Sequence, residues 1–341
     1  MSKILVTGGA GYIGSHTVVE LINQGHEVII VDDLSNSEIG VLDGIEKITG
    51  VKPTFVQLDL TEKEGVNKLF AEHNNIDGVI HFAAKKAVGE SVEKPLLYFR
   101  VNIDSMINIL EAMDEQGVKN IVFSSSCTIY GQPDKLPVTE ATPYQTAESP
   151  YGYTKQVGET ILKDNCRAKN DFQAIALRYF NPVGAHESAL IGELPRGIPS
   201  NLVPFITQTA AGLRDALKVF GDDYDTQDGS AVRDYIHVVD LAKAHVKALD
   251  RQLSKNQKAN YEFFNIGTGN GNSVLEVVKT FEQVNDLKLN YQIVGRRPGD
   301  IEKIYADTTK ANDELGWKAT LGLKEMLSSS WKWQQYLATK K

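Results

Sequence analysis

At 341 residues the chain is long enough for two hydrophobic cores, and 42% hydrophobic with 23% charged residues is ordinary globular composition. A formal charge of −8 with no Lys/Arg-rich block argues against nucleic acid as a partner. Cys127 and Cys166 form no Cys-x-x-Cys pattern, the seven histidines fall at no metal-ligand spacing, and no apolar run reaches about 18 residues, so the reading is a cytoplasmic protein with no metal and no membrane span.

Residues 3–7, Lys-Ile-Leu-Val-Thr, are predicted as a short apolar strand. Gly8-Gly9-Ala10-Gly11-Tyr12-Ile13-Gly14 follows directly, and a helical pattern then runs through Leu21 and Ile22. In that context the glycines let backbone approach a pyrophosphate, and the helix N-terminus offers unpaired N–H groups to its charge. A second strand over 27–31 ends at Asp32-Asp33, 18 residues past Gly14. A carboxylate there binds the adenosine ribose hydroxyls and repels a 2′-phosphate, which favours NAD over NADP.

The alternation continues as in a doubly wound sheet. A strand over 54–58 ends at Asp59-Leu60, placed to meet the adenine, and residues 62–72 read as helix. The strand over 77–82 ends in His81-Phe82-Ala83-Ala84-Lys85-Lys86, small residues where a cofactor must lie close. A long helix is predicted over 95–116 and carries Asn102. The strand over 120–124 runs into Ser124-Ser125-Ser126-Cys127-Thr128-Ile129-Tyr130-Gly131. The flanking glycines of a hydrolase nucleophile elbow are missing. Ser126 is read instead as a donor to a substrate hydroxyl at the end of a central strand, or as a turn cap.

Ser149-Pro150 supplies a cap and a favoured first residue for a helix that places Tyr151 and Lys155 on one face. A phenol is only about 0.1% ionised at neutral pH, and service as a general base there needs a downward shift of about three units, or about 4 kcal/mol. An ammonium about 6 Å away at an effective dielectric of about 20 supplies about 2.8 kcal/mol. A second positive charge is required, and an oxidised nicotinamide ring provides it.

Residues 172–179 are the last clear strand of a first domain, 1–180. Phe180-Asn181-Pro182-Val183-Gly184 opens a second, 181–341, some segments of which return to the first. Its helices are predicted near 201–212, 239–252, 273–285 and 322–338. The stretches Gly229-Ser230-Ala231-Val232-Arg233-Asp234 and Gly295-Arg296-Arg297-Pro298-Gly299-Asp300 place guanidinium groups in glycine-containing loops of an acidic protein. They suit a phosphorylated substrate, with surface Arg-Asp salt bridges as the alternative.

These residues together resemble the extended short-chain dehydrogenase/reductases that act on nucleotide sugars, and among them most closely the branch that epimerises UDP-glucose and UDP-galactose. The markers are Thr-Gly-Gly-Ala-Gly-Tyr-Ile-Gly from Thr7, Phe-Ser-Ser-Ser-Cys-Thr-Ile-Tyr-Gly from Phe123, Tyr-Gly-x-Thr-Lys from Tyr151, Arg-Tyr-Phe-Asn-Pro-Val-Gly-Ala from Arg178, Asn-Leu-Val-Pro from Asn201 and Val-Arg-Asp-Tyr-Ile-His-Val from Val232, so the similarity covers nearly the whole chain. The resemblance implies an α/β fold, a Rossmann doubly wound parallel sheet with a smaller mixed α/β substrate-binding domain. It implies an NAD-dependent isomerase of galactose and carbohydrate metabolism, acting on a UDP-hexose through a 4-keto intermediate with NAD tightly bound, and a homodimer formed through two helices of the dinucleotide domain.

Carried over by position, the resemblance makes Tyr151 the base, Lys155 its electrostatic partner and Ser126 a partner of the sugar 4-hydroxyl. Gly8, Gly11, Tyr12, Ile13, Gly14, Asp32, Asn36, Asp59, Leu60, Phe82, Lys86, Asn102, Ser124 and Tyr179 would line the NAD site with the Tyr-Lys pair. Asn181, Asn201, Leu202, Phe220, Arg233, Arg297 and Asp300 would hold the UDP-sugar, with Phe220 on the uracil. Ile304 stands where family members gate the sugar pocket: bulky aromatics exclude N-acetylated hexosamines, small residues admit them, and isoleucine is intermediate.

Rival readings are a nucleotide-sugar 4,6-dehydratase, a nucleotide-sugar dehydrogenase and a non-catalytic NAD-sensing regulator. The dehydratases carry an Asp-Glu pair after the threonine of the serine strand, where this chain has Thr128-Ile129-Tyr130. The regulators lack the Tyr-Lys pair, and the dehydrogenases need free cofactor exchange in each turnover.

Overall fold

The computed structural model describes residues 1–297 and 301–340. Seven parallel strands form the large sheet in the order β10-β6-β5-β4-β1-β2-β3: β1 (Lys3–Thr7), β2 (Glu27–Asp32), β3 (Thr54–Gln57), β4 (Gly78–His81), β5 (Asn120–Ser124), β6 (Gln173–Tyr179) and β10 (Tyr261–Ile266). Parallel strands are covered on both faces, so their residues are apolar on both. Ile4 and Val6 of β1 pack with α1 (Tyr12–Asn23), α2 (Val41–Thr49) and α9 (Val238–Leu253) on one side. Leu5, between them, packs on the opposite side with α3 (Lys63–Glu72), α6 (Ser105–Glu115) and α7 (Pro150–Ala168). The chain reverses direction across the sheet between β1 and β4, which opens the crevice where such sheets take ligands.

Helical periodicity alone predicted one helix over 95–116. The structure has α4 (Val88–Glu93), α5 (Pro95–Phe99), a π-helical turn at Arg100–Asp104 and α6. Pro95 starts α5 at a position where its missing N–H costs nothing. The π turn carries Asn102, buried, and such turns recur at functional sites.

Beyond residue 180 the chain divides. α9 and β10 join the large sheet, and β10 pairs β6 from Tyr261↔Ala174 to Ile266↔Tyr179. The remainder is mixed. β9 (Val232–His237) pairs in parallel with β7 (Asn181–Val183) and β13 (Lys303–Ile304) and antiparallel with β11 (Gly271–Ser273). β8 (Leu217–Phe220) pairs in parallel with β12 (Tyr291–Val294). Helices α8 (Leu202–Ala210), α10 (Val274–Asn285) and α11 (Leu323–Thr339) pack with these strands around Val203, Ile206, Tyr235, Phe281 and Leu327. Serine caps set two helix starts: Ser149 Oγ accepts from Gly152 N at 3.2 Å for α7, and Ser273 with Glu276 forms a capping box for α10.

Gly8 adopts φ +67°, and a Cβ on Gly14 would collide with the carbonyl oxygen of Gly8. The turn after β1 therefore closes only on glycine at these points. Gly14→Ala should lower stability to urea unfolding by about 2 kcal/mol, the range for forcing a methyl group into packed structure.

Candidate active site

The residues singled out for the cofactor lie along the carboxyl edge of the parallel strands. Gly8, Gly11, Tyr12, Ile13 and Gly14 follow β1, Asp32 ends β2 with Asn36 just beyond, Asp59 and Leu60 follow β3, and Phe82 and Lys86 follow β4. Ser124 ends β5 and Tyr179 ends β6. Gly11, the N-cap of α1, provides no side-chain cap, which leaves the first helical amides for an anion. Gly8 lies against the Ala83 backbone, where an added Cβ would come within 2.8 Å of Ala83 N. Asp32 Oδ2 accepts from Ala10 N at 3.1 Å, and Oδ1 accepts from Leu34 N at 2.9 Å and from Ser37 Oγ at 2.7 Å. Burial pushes the Asp32 carboxyl above its ordinary pKa against those three donors. A backbone cradle with open amides and a carboxylate at the next strand end fits a dinucleotide.

At the other end of the crevice, the Lys155 ammonium donates to Ser124 O at 2.6 Å and lies 4.9 Å from the centre of the Phe123 ring and 5.8 Å from that of Tyr151. Ser126 Oγ accepts from Thr128 N at 3.2 Å, so it caps the turn after β5, and its hydroxyl draws the Tyr151 phenol pKa down. Tyr179 Oη pairs with Ser124 Oγ at 2.7 Å. Asn102 Nδ2 donates to Thr154 Oγ1 and to Lys85 O, both at 3.0 Å, while its Oδ1 accepts from Lys85 N at 2.8 Å. The π turn thus ties the loop after β4 to the helix of the Tyr-Lys pair.

Burial dominates the electrostatics. It pulls the Lys155 ammonium down from 10.5 to about 7, against the upward influence of Glu159. It drives the Tyr151 phenol well above 10, beyond the downward influence of Ser126. The protein's own groups therefore do not make Tyr151 a base at neutral pH. His81 and His245, also buried, are held neutral, with pKa values lowered to about 3 and about 4. Among the described residues no group of three or more His, Cys, Asp and Glu side chains could hold a metal.

A feature that periodicity did not reveal lies behind this pair. Glu159, one turn beyond Lys155, accepts from Ser125 Oγ at 2.5 Å, from Tyr144 Oη at 2.6 Å, from Tyr261 Oη at 2.8 Å and from both Arg178 Nε and Nη2. Arg178 Nη1 donates to Tyr130 Oη at 3.0 Å. Burial raises the Glu159 carboxyl, but the Arg178 guanidinium outweighs it and holds the group below its ordinary pKa. The only sequence signal was a carboxylate four residues after Lys155 on the same helix face and an arginine inside an apolar strand.

The substrate candidates lie on the second lobe. Asn181 is in β7, paired with Tyr235 of β9. Asn201 caps α8 and donates to Glu193 Oε1 at 2.8 Å, with Leu202 beginning that helix. Arg297 lies 5.7 Å from the ring centre of Phe220, at the end of β8. Arg233 lies in β9 opposite Ile304. Ile304 is buried with Ile129, Tyr130, Val138 and Phe180, which places it against the segment following Ser126. Asp300 lies outside the described residues. The two Arg-Asp stretches prove unlike: Arg296 forms a 2.7 Å surface pair with Asp223, whereas Asp234 is buried and accepts from the backbone of Thr268, Gly269 and Ala306.

A family model described as GDP-mannose 4,6 dehydratase matches residues 5–330, which places the chain in that broad family. The chain is 53% identical over 331 residues to the UDP-glucose 4-epimerase of Bacillus subtilis, covering 97% of this chain and 96% of the relative. The chain belongs to the UDP-glucose 4-epimerase family. Its structure superposes on that of UDP-glucose 4-epimerase from Stenotrophomonas maltophila with bound NAD and formylated UDP-arabinopyranose, with a TM-score of 0.96, 50% identity and 100% of both chains covered. The epimerase from Bifidobacterium longum in complex with NAD+ and UDP gives a TM-score of 0.94 at 48% identity, again with 100% of both chains covered. This chain carries Thr128-Ile129-Tyr130 where the dehydratase reading requires an acidic pair.

Because folding lowers the Lys155 ammonium from 10.5 to about 7, the unfolded chain binds more protons at this site between those values. The site therefore makes stability rise with pH across that window, by at most about 1.4 kcal/mol per unit. Urea unfolding of nucleotide-free protein at several pH values should show Lys155→Met losing that rise.

Proposed function

We propose that this chain interconverts UDP-glucose and UDP-galactose at carbon 4, with Tyr151 as the proton-transferring group. The observation that carries the reading is the buried Tyr151–Lys155 pair, with Lys155 bonded to Ser124 O at the carboxyl end of β5. NAD, when bound, supplies the hydride acceptor at carbon 4 and a second positive charge beside the phenol. Lys155 supplies the first charge. An ammonium about 6 Å from the phenol oxygen is worth about 2.8 kcal/mol at an effective dielectric of about 20, too little alone against the burial of Tyr151. Tyr151 accepts the proton of the 4-hydroxyl and returns it, and Ser126 orients that hydroxyl. The sugar presents its opposite face in between as a 4-keto hexose, so the net redox change is zero.

That reversal requires anchoring through the nucleotide rather than the hexose. Arg233 and Arg297 are assigned to the diphosphate, Phe220 to the uracil, and Asn181, Asn201 and Leu202 to the remaining contacts, with Asp300 assigned from the sequence. The NAD site is assigned to Gly8, Gly11, Tyr12, Ile13, Gly14, Asp32, Asn36, Asp59, Leu60, Phe82, Lys86, Asn102, Ser124 and Tyr179. The dinucleotide part then comprises residues 1–180 with α9 and β10, and the nucleotide-sugar part the rest. A homodimer through two helices of the dinucleotide part, α5 and α7, is supported by exposed apolar side chains there, Leu96 at 81% and Tyr153 at 50%. A cytoplasmic location is supported by the unpaired thiols of Cys127 and Cys166; among the described residues no helix is long and apolar enough to cross a membrane.

Purified protein incubated with UDP-galactose and no added NAD should form UDP-glucose to a steady ratio, read by proton NMR. A 4-keto-6-deoxy product or strict dependence on added NAD would reject the proposal. Tyr151→Phe should retain NAD yet lose at least about a hundredfold in turnover, the usual worth of a positioned acid-base group. Ile304→Gly should raise kcat/KM for UDP-N-acetylglucosamine relative to UDP-glucose by about tenfold or more, and an unchanged ratio would remove Ile304 from the pocket wall.

A further inference from the structure

The segment between β7 and α8 spans the two halves of the site. At one end Glu193 accepts from Asn201 Nδ2 at 2.8 Å and pairs with Lys86 at 3.7 Å, while its carbonyl accepts from Trp333 Nε1 at 2.8 Å. Three residues on, Arg196 reaches the loop after β2, donating from Nη1 to Ser35 O at 2.9 Å and from Nη2 to Ser37 O at 2.5 Å. These two carbonyls flank Asn36. Asp33, Ser35, Asn36 and Glu38 of this loop are exposed. It also contains a residue with a side chain in the left-handed region, Leu34 at φ +60°, a conformation that persists only where surroundings enforce it. It is also held by Asp32 Oδ1, which accepts from Leu34 N and Ser37 Oγ, by Asp33 Oδ1, which accepts from Ser35 N at 2.8 Å, and by Leu34 packed against the core.

We propose that Arg196 is a positioning residue that latches the ribose-side loop of the cofactor groove to the second lobe, and so sets how long NAD stays bound. The inference rests on the assignment of NAD to this groove. A planar guanidinium suits the task because its two terminal nitrogens meet two separate carbonyls at once, which a lysine ammonium on a flexible stem does not reproduce. Retention matters to this reaction in particular, because release of reduced cofactor in mid-cycle strands a 4-keto sugar. The same segment carries Glu193 between Lys86 and Asn201, so the latch joins the cofactor loop to an element that also borders the substrate candidates.

The test compares wild type, Arg196→Ala and Arg196→Lys, purified without added nucleotide. NAD content is read by chromatography of acid-released nucleotide, and its loss is followed over time after dilution and gel filtration. The expected result is about tenfold faster loss from Arg196→Ala, the scale of a lost charge-assisted hydrogen bond. Arg196→Lys should fall between, and added NAD should restore turnover of Arg196→Ala. Equal release rates in all three proteins would overturn the latch. Faster release accompanied by a lowered unfolding midpoint of the nucleotide-free variant would assign Arg196 to general folding and overturn it as well. Wild-type protein that carries no NAD would overturn the cofactor assignment beneath it.

Discussion

The Lys155 ammonium is 4% exposed, and a buried unpaired charge is among the costliest things a fold can contain. The surrounding structure supplies partial compensation from several sides without neutralising it: the Ser124 carbonyl, the faces of Phe123 and Tyr151, and at one further turn of α7 the Glu159 carboxylate. A carboxylate in direct contact would hold the ammonium charged but screen the phenol from it. Glu159 instead is engaged by Arg178, Ser125 and two tyrosines, so it acts on Lys155 from a distance.

That arrangement explains why so much polar structure is buried in an otherwise apolar sheet. Arg178 is itself 2% exposed, bonded to Glu159 and Tyr130 and packed 4.1 Å from the centre of the Phe263 ring. Removing one partner of such a pair leaves the other charge buried and costs about 3–5 kcal/mol, far more than the intact pair contributes. Ser125, held by Glu159, lies between Ser124, whose carbonyl receives Lys155, and Ser126, which caps the turn after β5. The network fixes the spacing of the serine segment against α7, where small displacements of reacting groups are expensive.

The two halves of the molecule meet different demands. Under the proposed function the parallel sheet holds a dinucleotide, and its candidate contacts are glycine backbone at the end of β1 and strand-end side chains. The second lobe must hold a nucleotide while its sugar turns over, and its candidate contacts sit on short strands and helix caps at a distance along the chain. Tyr12 Oη donates to Gly184 O at 2.6 Å and Arg196 grips the loop after β2, so the halves are joined at the cofactor groove itself.

How much of this is legible in the sequence follows from which interactions are local. The glycine turn, the Ser149-Pro150 start of α7 and the Tyr-Lys spacing depend on residues within a few positions of one another, and short-range sterics and capping determine them. Alternating apolar strands and helices determined the doubly wound class for the same reason. That some segments after residue 180 return to the first domain was legible, but which ones was not, because β10 joins β6 through pairings some 90 residues apart, from Tyr261↔Ala174 onward. The break in the helix over 95–116 depends on Asn102 bonding Lys85 and Thr154, distant in sequence. Glu159 with Arg178, and Arg196 with the loop after β2, read as ordinary charged residues until folding brings their partners to them. The sequence by itself thus determined the chemistry-bearing groups and the elements that carry them, since these follow from local propensity and spacing. Only the tertiary structure decided their electrostatics: burial lowers Lys155 to about 7 and lifts Tyr151, and burial is a property of the whole chain packed together.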